Sequence, residues 1–258
     1  MRPPAQAMVL AAGRGERMRP LTDRTPKPLL AVRGKPLMQW TLESLGRGGF
    51  REVLINTAWL GEQIPAHFGE RFVPSAPSAP SNSTPLMLSY SHEGKDFGGA
   101  LETAGGIVRA LPQLASVFWV AAGDVFAPEF AFTQAAMARF AASGRLAHLW
   151  LVPNPEHNLR GDFGIGAGGL ALATAPEGTP SYTFSTIGLY RREFFAPPRC
   201  DIASGNAGGI KAALAPMLRA AMAEGLLSAE LYEGEWTDVG TPQRLAALNG
   251  HEARATPR

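Results

Sequence analysis

The feature that most constrains the fold is a glycine-rich run directly after a short apolar segment near the start of the chain. Residues 7–10 are apolar and few, as in a buried strand. The small residues that follow at once are Ala11, Ala12, Gly13 and Gly15. Such residues let backbone N–H groups approach phosphate oxygens closely. The run therefore indicates a phosphate-binding loop, with an ordinary turn as the alternative.

The residues after this run argue against two other kinds of glycine loop. A dinucleotide-binding fingerprint needs a third glycine where Met18 stands and a helix that starts at once, and here Pro20 follows. A Walker loop ends in Gly-Lys-Ser or Gly-Lys-Thr, which this segment does not contain. The loop is therefore of a different type.

Positive charge is concentrated just beyond the glycines. Arg17 and Arg19 lie in the loop, and Lys27 stands between Pro26 and Pro28. A triphosphate is tetra-anionic, so it needs such groups, and a guanidinium adds forked hydrogen bonds. The two prolines predict that the Lys27 ammonium is held in a fixed position.

Two aspartates follow the pattern of a cation site. Asp124 comes after the apolar run 117–122 and Gly123, at the carboxyl end of a predicted buried strand, where side chains face the binding crevice. Mg²⁺ takes one or two carboxylates together with phosphate oxygens and water, and Asp238 supplies a second carboxylate near the end of the chain. The alternatives stay open: Asp124 in a turn or as a helix cap, and Asp238 as a cap leading to the helix at Pro242.

Strand and helix patterns alternate along the first half of the chain. A helix that opens at Pro36 lies between predicted strands 7–10 and 53–56, which indicates a parallel pair with a crossover helix. The same alternation predicts an α/β chain of one domain, with a nucleotide-binding half at about 5–150, a mixed half at about 151–248 and a low-complexity, flexible loop at 74–85. Less regular segments predict a helix at about 129–142, strand structure with intervening glycines and turns over 163–173, and a helix at about 207–223.

Composition limits the function classes. Of 258 residues, 45% are hydrophobic and 18% charged, as in an ordinary globular protein. The net charge of only +2 gives no sign of the broad basic surface that binding to nucleic acid requires. The short apolar run before Gly13 is neither a signal peptide nor a membrane span, and Cys200 is the single cysteine. We therefore predict a cytoplasmic protein without nucleic-acid or membrane partners; its oligomeric state has no sequence signal.

The whole run 10–28 resembles the signature of the sugar nucleotidyltransferase family. The resemblance implies a Rossmann-like fold of the glycosyltransferase-A type, in which a mixed, mostly parallel central sheet is flanked by helices. It also implies Mg²⁺-dependent transfer of a nucleoside monophosphate from a nucleoside triphosphate to a sugar 1-phosphate. The implied metal ligands are Asp124 and Asp238, and the implied catalytic residues are Arg17, Lys27 and Asp124.

The resemblance extends to residues for the base and the sugar. Residues 101–106 resemble the family's base-contacting turn, with an ordinary helix start capped by Thr103 as the alternative. The implied nucleotide contacts are Ala11, Ala12, Gly13, Gly15, Glu16, Arg17, Lys27, Glu93, Glu102, Thr103, Gly105 and Gly123. For the sugar, the polar segment 154–163, which a solvated loop would also explain, and the strand 184–190 predict contacts from Asn154, Asp162, Phe163 and Thr186. His157 has no partner pattern for catalysis or metal binding.

Within the family, motifs such as residues 56–61 and 101–103 most resemble uridylyltransferases that act on N-acetylmuramate 1-phosphate in peptidoglycan recycling. UTP is therefore the favoured nucleotide. The chain departs from the pattern at the 74–85 insertion and at Ala104, where glycine is expected. The alternatives are a mannose-1-phosphate guanylyltransferase, another hexose-1-phosphate enzyme, or a catalytically silent nucleotide-binding regulatory subunit, against which the intact charged residues argue.

Overall fold

The computed structural model describes residues 3–74 and 84–250. Most of the predicted flexible loop at 74–85 therefore lies outside the described residues. The strands are β1 (Ala5–Ala11), β2 (Ala31–Val32), β3 (Lys35–Pro36), β4 (Glu52–Thr57), β5 (Arg71–Phe72), β6 (Leu86–His92), β7 (Leu114–Ala122), β8 (Val125–Phe126), β9 (Ala147–Val152), β10 (Phe163–Ile165), β11 (Ala171–Leu172), β12 (Ser181–Arg191), β13 (Leu227–Leu231) and β14 (Thr237–Asp238).

The α-helices of the described chain are short to medium in length. None of them is both long and apolar enough to cross a bilayer. They are α1 (Leu37–Arg47), α2 (Gln63–Phe68), α3 (Glu93–Phe97), α4 (Glu102–Ala110), α5 (Gln134–Ala142), α6 (Leu214–Ala223) and α7 (Pro242–Gly250). Short 3₁₀ helices lie at Glu16–Met18, Leu21–Asp23, Lys27–Leu29, Leu111–Gln113, Ala167–Gly169 and Arg192–Phe195.

One large mixed sheet runs through the molecule. Strands β7, β1, β4 and β6 lie side by side and parallel, and β12 joins them antiparallel to β7. Beyond β12 the sheet continues through β9 and β13, which are parallel to each other. The predicted pairing of the first two long strands is confirmed, because Ala7 to Ala11 align with Val53 to Thr57 in parallel register.

Helices cover both faces of the sheet. Neighbouring residues on a strand point to opposite faces, and Phe118 and Trp119 on β7 accordingly belong to different core clusters. The Phe118 face is covered by α4 and α6, whereas the Trp119 face is covered by α1, α2 and α5. The predicted fold class, a mostly parallel central sheet flanked by helices, is confirmed.

The region 163–173, predicted as strand with intervening glycines and turns, is not one continuous strand. It is two short antiparallel strands, β10 and β11, joined by a 3₁₀ turn. Gly168 and Gly169 have φ values of 64° and 74°, in the left-handed region that glycine adopts readily. The glycines therefore form the turn of a hairpin within the predicted region.

Two predicted helices begin later than the sequence indicated. In α5, Thr133 is the cap, because its Oγ1 accepts a hydrogen bond from the Ala136 N–H at 3.0 Å. Before α6, the segment 206–213 is not helical, since the Ala212 carbonyl accepts from the Ala104 N–H at 2.9 Å and so pairs with the start of α4. Tertiary hydrogen bonds thus replace the first helical turns.

Candidate active site

A cavity of about 940 Å³ opens at the carboxyl ends of β1, β4 and β7. This is the crevice in which open α/β sheets bind ligands. The predicted site residues that line it come from distant parts of the chain: Ala11, Ala12, Gly13, Gly15, Glu16, Arg17, Lys27, Glu102, Thr103, Asp124, Asp162, Phe163 and Thr186.

The glycine-rich loop forms one wall of the cavity. Gly15 has φ 65°, in the left-handed region, and a Cβ there would lie 3.0 Å from Thr22 Cγ2, so both the conformation and the tight space favour glycine. Gly13 has open space around its Cα, which leaves its backbone accessible. A 3₁₀ turn follows instead of an α-helix, as expected for a loop that is not a dinucleotide fingerprint.

The arginines of the loop have different surroundings. Arg14 stacks over the Trp59 ring, with its Cζ 3.7 Å from the ring centroid, and pairs with Asp23 at 3.0 Å. Arg19 also pairs with Asp23, and these hydrogen bonds, from Arg14 first, lower the pKa of that carboxyl. Arg17 lines the cavity, and a Cβ on Gly240 would lie 3.2 Å from its Nη2. Arg17 is therefore the loop arginine that faces the ligand space.

Lys27 lies between the two predicted metal-binding aspartates. Its Nζ donates to Asp124 Oδ2 at 2.5 Å and is 3.9 Å from Asp238 Oδ1. Strands β8 and β14 bring the aspartates together, because Asp238 pairs with Val125, the residue after Asp124. The Val239 N–H also donates to the Asp124 carbonyl at 3.2 Å. Asp124 and Asp238, more than a hundred residues apart in the sequence, are thus brought together by the pairing of two short strands.

Two residues that the sequence did not indicate surround Asp238. Arg244 on α7 donates from Nη1 to the Asp238 carbonyl at 2.8 Å and to Oδ2 at 2.7 Å. His157 Nε2 lies 3.5 Å from the same Oδ2. Arg244 is on the first turns of a helix and His157 is in the polar loop 154–163, so no local motif joins either residue to Asp238.

The aspartate pair fits a Mg²⁺ ion in its chemistry. Two carboxylates from different elements meet where a positive ammonium already lies between them, so this position stabilises a cation. Mg²⁺ is usually held by one or two carboxylates together with substrate phosphates. Asp124 and Asp238 are the residues that would hold it.

Glu93 is not at the cavity wall but in the structure behind it. Its side chain is buried; Oε1 accepts from Asn56 Nδ2 at 2.7 Å and Oε2 from the Leu101 N–H at 2.8 Å. Asn56 Oδ1 in turn accepts from the Ala11 N–H at 2.9 Å. Burial raises the pKa of Glu93. This chain of hydrogen bonds, which we call the Asn56–Glu93 relay, connects the glycine loop to the start of α4.

The turn predicted to contact the base is the start of α4. Thr103 is not its cap; Leu101 occupies that position and no side chain caps it. Glu102 lines the cavity with φ 59°, a conformation that non-glycine residues adopt at a cost and that recurs at functional sites. Gly105 does not line the cavity. It packs against the backbone of Ile210, whose carbonyl oxygen would lie 2.5 Å from a Cβ at position 105. Gly123 likewise lies behind the wall, where its N–H donates to the Leu10 carbonyl.

The predicted sugar residues divide into wall and support. Asp162, Phe163 and Thr186 line the cavity. Thr186 sits in a bulge of β12 with φ 63°, where the register against β9 shifts. Asn154 donates to the carbonyls of Leu159 and Ser181 and accepts from Thr183, so it shapes the loop. The structure adds Phe184, Tyr190, Leu218 and Arg219 to this end of the cavity.

Comparison with known proteins agrees with this arrangement. The family model for nucleotidyl transferases matches residues 6–254. The N-acetylmuramate alpha-1-phosphate uridylyltransferase of Neisseria meningitidis serogroup B is 44% identical over 242 residues, which cover 93% of this chain and 95% of that protein. The protein of the same name from Caulobacter vibrioides is 27% identical over 98% of both chains.

A solved structure shares the fold. A Bacillus anthracis protein assigned as a glucose-1-phosphate thymidylyltransferase, solved in complex with sucrose, superposes with a TM-score of 0.70 over 98% of this chain and 96% of its own. The identity is 18%, so this likeness supports the architecture alone.

Proposed function

Because this chain belongs to the sugar-1-phosphate nucleotidyltransferase family and is an enzyme of that type, we propose that it makes UDP-N-acetylmuramate from UTP and N-acetylmuramate 1-phosphate with Mg²⁺. The observation that carries the proposal is the position of Lys27 between Asp124 and Asp238, at the wall of a cavity that the glycine loop also lines. A cation and two carboxylates thus meet beside the glycine-rich loop, which we propose to bind the phosphates.

In the proposed reaction a phosphate oxygen of the sugar 1-phosphate attacks the α-phosphorus of the nucleotide in line. The bond from the α-phosphorus to the bridging oxygen of the β-phosphate breaks, and pyrophosphate leaves with that electron pair. Arg17 and Lys27 would stabilise the negative charge on the α-phosphate and on the leaving pyrophosphate. Positioning and electrostatic stabilisation supply the rate enhancement, with no covalent intermediate on the protein.

Asp124 and Asp238 are the residues proposed to hold Mg²⁺. When bound, the ion would supply positive charge to phosphate oxygens. The side chains prepare this position themselves: Arg244 fixes one oxygen of Asp238, and the β8–β14 pairing fixes the backbone of both aspartates.

The preference for UTP and an N-acetylmuramate substrate is supported by the two full-length relatives that carry this activity in their names. In this proposal Glu102 and Thr103 at the start of α4 contact the nucleotide, and Asp162, Phe163 and Thr186 contact the sugar. Glu93, Gly105, Gly123 and Asn154 act by supporting these walls. A role in peptidoglycan recycling follows from the same substrates.

Two further proposals concern the whole chain. The sheet that continues from β1 through β13 supports a single domain, with the nucleotide half at about 5–150 and the sugar half at about 151–248. A cytoplasmic location stays a prediction, which fractionation of the native cells would test.

The test is pyrophosphate release with Mg²⁺, in which UTP, GTP, dTTP and CTP are each combined with the 1-phosphates of N-acetylmuramate, N-acetylglucosamine, mannose and glucose. We expect the UTP and N-acetylmuramate pair to give the highest kcat/KM. A preference for GTP with mannose 1-phosphate would replace the proposed substrates. Nucleotide binding without turnover of any pair would make the chain a silent regulatory subunit.

A further inference from the structure

The positive charges of the cavity lie at two separate places. Arg17 and Lys27 are at the glycine loop, near Gly240 and the aspartate pair. Arg219 on α6 also lines the cavity, but it lies beside the predicted sugar contacts Asp162 and Phe163. Of the described residues that line the cavity, Arg219 is the one that brings a positive charge to the sugar end.

Arg219 is held in place by neutral groups. Its Nη1 donates to the Ala173 carbonyl at 2.8 Å and its Nη2 to the Asp162 carbonyl at 3.4 Å. The guanidinium carbon lies 5.1 Å from the centroid of the Phe163 ring, which adds a cation–π contact. A guanidinium has five N–H donors, so donors remain for a ligand.

The charge of Arg219 is not neutralised by an acidic partner among the described residues. Arg219 does contact an acidic residue, Asp162, but it bonds the backbone carbonyl and not the carboxylate. The two carboxylate oxygens of Asp162 accept instead from the Phe184 N–H at 2.8 Å and from Asn158 Nδ2 at 3.3 Å. The remaining donors of Arg219 therefore suit an external anion.

We propose that Arg219 is a specificity-determining residue that selects sugar 1-phosphates bearing a carboxylate on a ring substituent. This inference rests on the proposed function, since N-acetylmuramate is N-acetylglucosamine with a lactyl ether whose carboxyl group is ionised at neutral pH. A guanidinium pairs with a carboxylate through forked, charge-assisted hydrogen bonds. Arg219 is exposed, so its guanidinium is accessible to a ligand, and Phe163, Phe184 and Leu218 line the cavity with it.

The experiment compares kcat/KM for N-acetylmuramate 1-phosphate and N-acetylglucosamine 1-phosphate, each with UTP, in wild type and Arg219→Gln. We expect the variant to lose about 10- to 100-fold with the acidic sugar, the usual effect of removing a hydrogen bond to a charged group, and less than about 3-fold with the neutral one. Arg219→Lys keeps the charge without the fork, so its ratio of the two kcat/KM values should lie between those of wild type and Arg219→Gln.

The matched control is Arg47→Gln. Arg47 is also a helical arginine that donates to a loop carbonyl, that of Pro128, and it does not line the cavity. A purely structural role of Arg219 would lower both activities together, and such a parallel loss, or an unchanged ratio in both Arg219 variants, would overturn the inference. Failure of wild type itself to use N-acetylmuramate 1-phosphate would contradict the proposed function instead, so the two failures are distinguishable.

Discussion

Lys27 carries more of the proposed chemistry than any other single side chain, because it contacts both aspartates while it lines the ligand cavity. The chain confines it between Pro26 and Pro28 and buries it to 7% exposure. Asp124 and Asp238, by contrast, remain 38% and 27% exposed in their side chains. Water can therefore solvate the aspartates when the ammonium is lost, and we expect Lys27 to matter more for turnover than for folding.

The corresponding prediction is for Lys27→Met. Its kcat should fall at least about 100-fold, the usual effect of deleting one group that stabilises charge in a transition state. Its free energy of unfolding, measured in urea, should change by about 1 kcal/mol, because the ion pairs lost are partly solvated. Arg199→Met is the control, since it removes the surface ion pair to Glu224 at 2.6 Å and should leave turnover unchanged. Unaltered turnover in Lys27→Met would contradict the proposed mechanism.

Arg244 acts on Asp238 and not on the reacting groups. It fixes Oδ2, which leaves Oδ1 toward Lys27. Residues that orient a metal ligand typically contribute 10- to 100-fold in metal affinity. We therefore predict that Arg244→Gln weakens binding of Mn²⁺, a paramagnetic substitute for Mg²⁺, about 10-fold, and that Arg244→Lys recovers part of the loss. Paramagnetic resonance titration of the protein measures this directly; equal affinities in all three proteins would show that Asp238 needs no such support.

At the scale of elements, the bulge in β12 sets the position of the cavity wall that we propose to contact the sugar. Ser185 is fully buried; its Oγ donates to the Trp150 carbonyl at 2.6 Å and accepts from the Ile187 N–H at 3.1 Å. The next residue, Thr186, takes its left-handed conformation in the cavity wall. One side chain thus replaces the ladder bonds that the bulge interrupts.

Ser185→Ala should accordingly destabilise the protein by about 1–3 kcal/mol, because a buried carbonyl and a buried N–H lose their partner. Urea unfolding measures this change. Ser228→Ala is the control: Ser228 bonds His148 at 2.9 Å but is only partly buried, so its loss should cost less than about 1 kcal/mol. If the two variants were equally stable, water would have to replace the Ser185 hydroxyl as the partner of the Trp150 carbonyl and the Ile187 N–H.

The same elements show what the sequence predicts well. Strands such as β1 and β9 consist mostly of buried apolar residues, and local pattern alone indicates them. The start of α6 and the β10–β11 hairpin depend on a bond to α4 and on glycine conformations, which no local pattern encodes. For the site, motif resemblance indicated the wall residues, whereas Arg244 and Arg219 become visible only when distant helices are folded against the cavity.

At the scale of the whole molecule, the Asn56–Glu93 relay joins segments that are far apart in the chain. It begins at the Ala11 N–H in the glycine loop, passes through the end of β4 and the start of α3, and ends at the Leu101 N–H. Both segments at its ends border the cavity, so the relay sets the distance between the two walls that we propose to hold the nucleotide.

The relay also makes stability depend on pH in a predictable direction. A carboxyl whose pKa is raised in the folded state, as that of Glu93 is by burial, binds a proton that the unfolded chain releases at lower pH. Its contribution to stability is therefore present below the unfolded pKa of about 4.3 and is lost as pH rises through the folded value. Asp23, whose pKa is lowered, has the opposite pH dependence: its contribution to stability is lost as pH falls through its folded pKa.

Asn56→Asp exaggerates this behaviour. It would place a second carboxylate where Asn56 Nδ2 now donates to Glu93 at 2.7 Å, so one of the two groups must hold a proton in the folded state. We predict a loss of about 2–4 kcal/mol of unfolding free energy at pH 7.5 and a smaller loss at pH 5, by urea unfolding at both. Asn249→Asp, at an exposed amide bonded to the Ala31 carbonyl, should show no such pH dependence. Asp23 and the other titrating groups are common to all these proteins, so their effects cancel when each variant is compared with wild type. A loss of stability that stayed equal at the two pH values would mean that Glu93 already carries a proton at neutral pH.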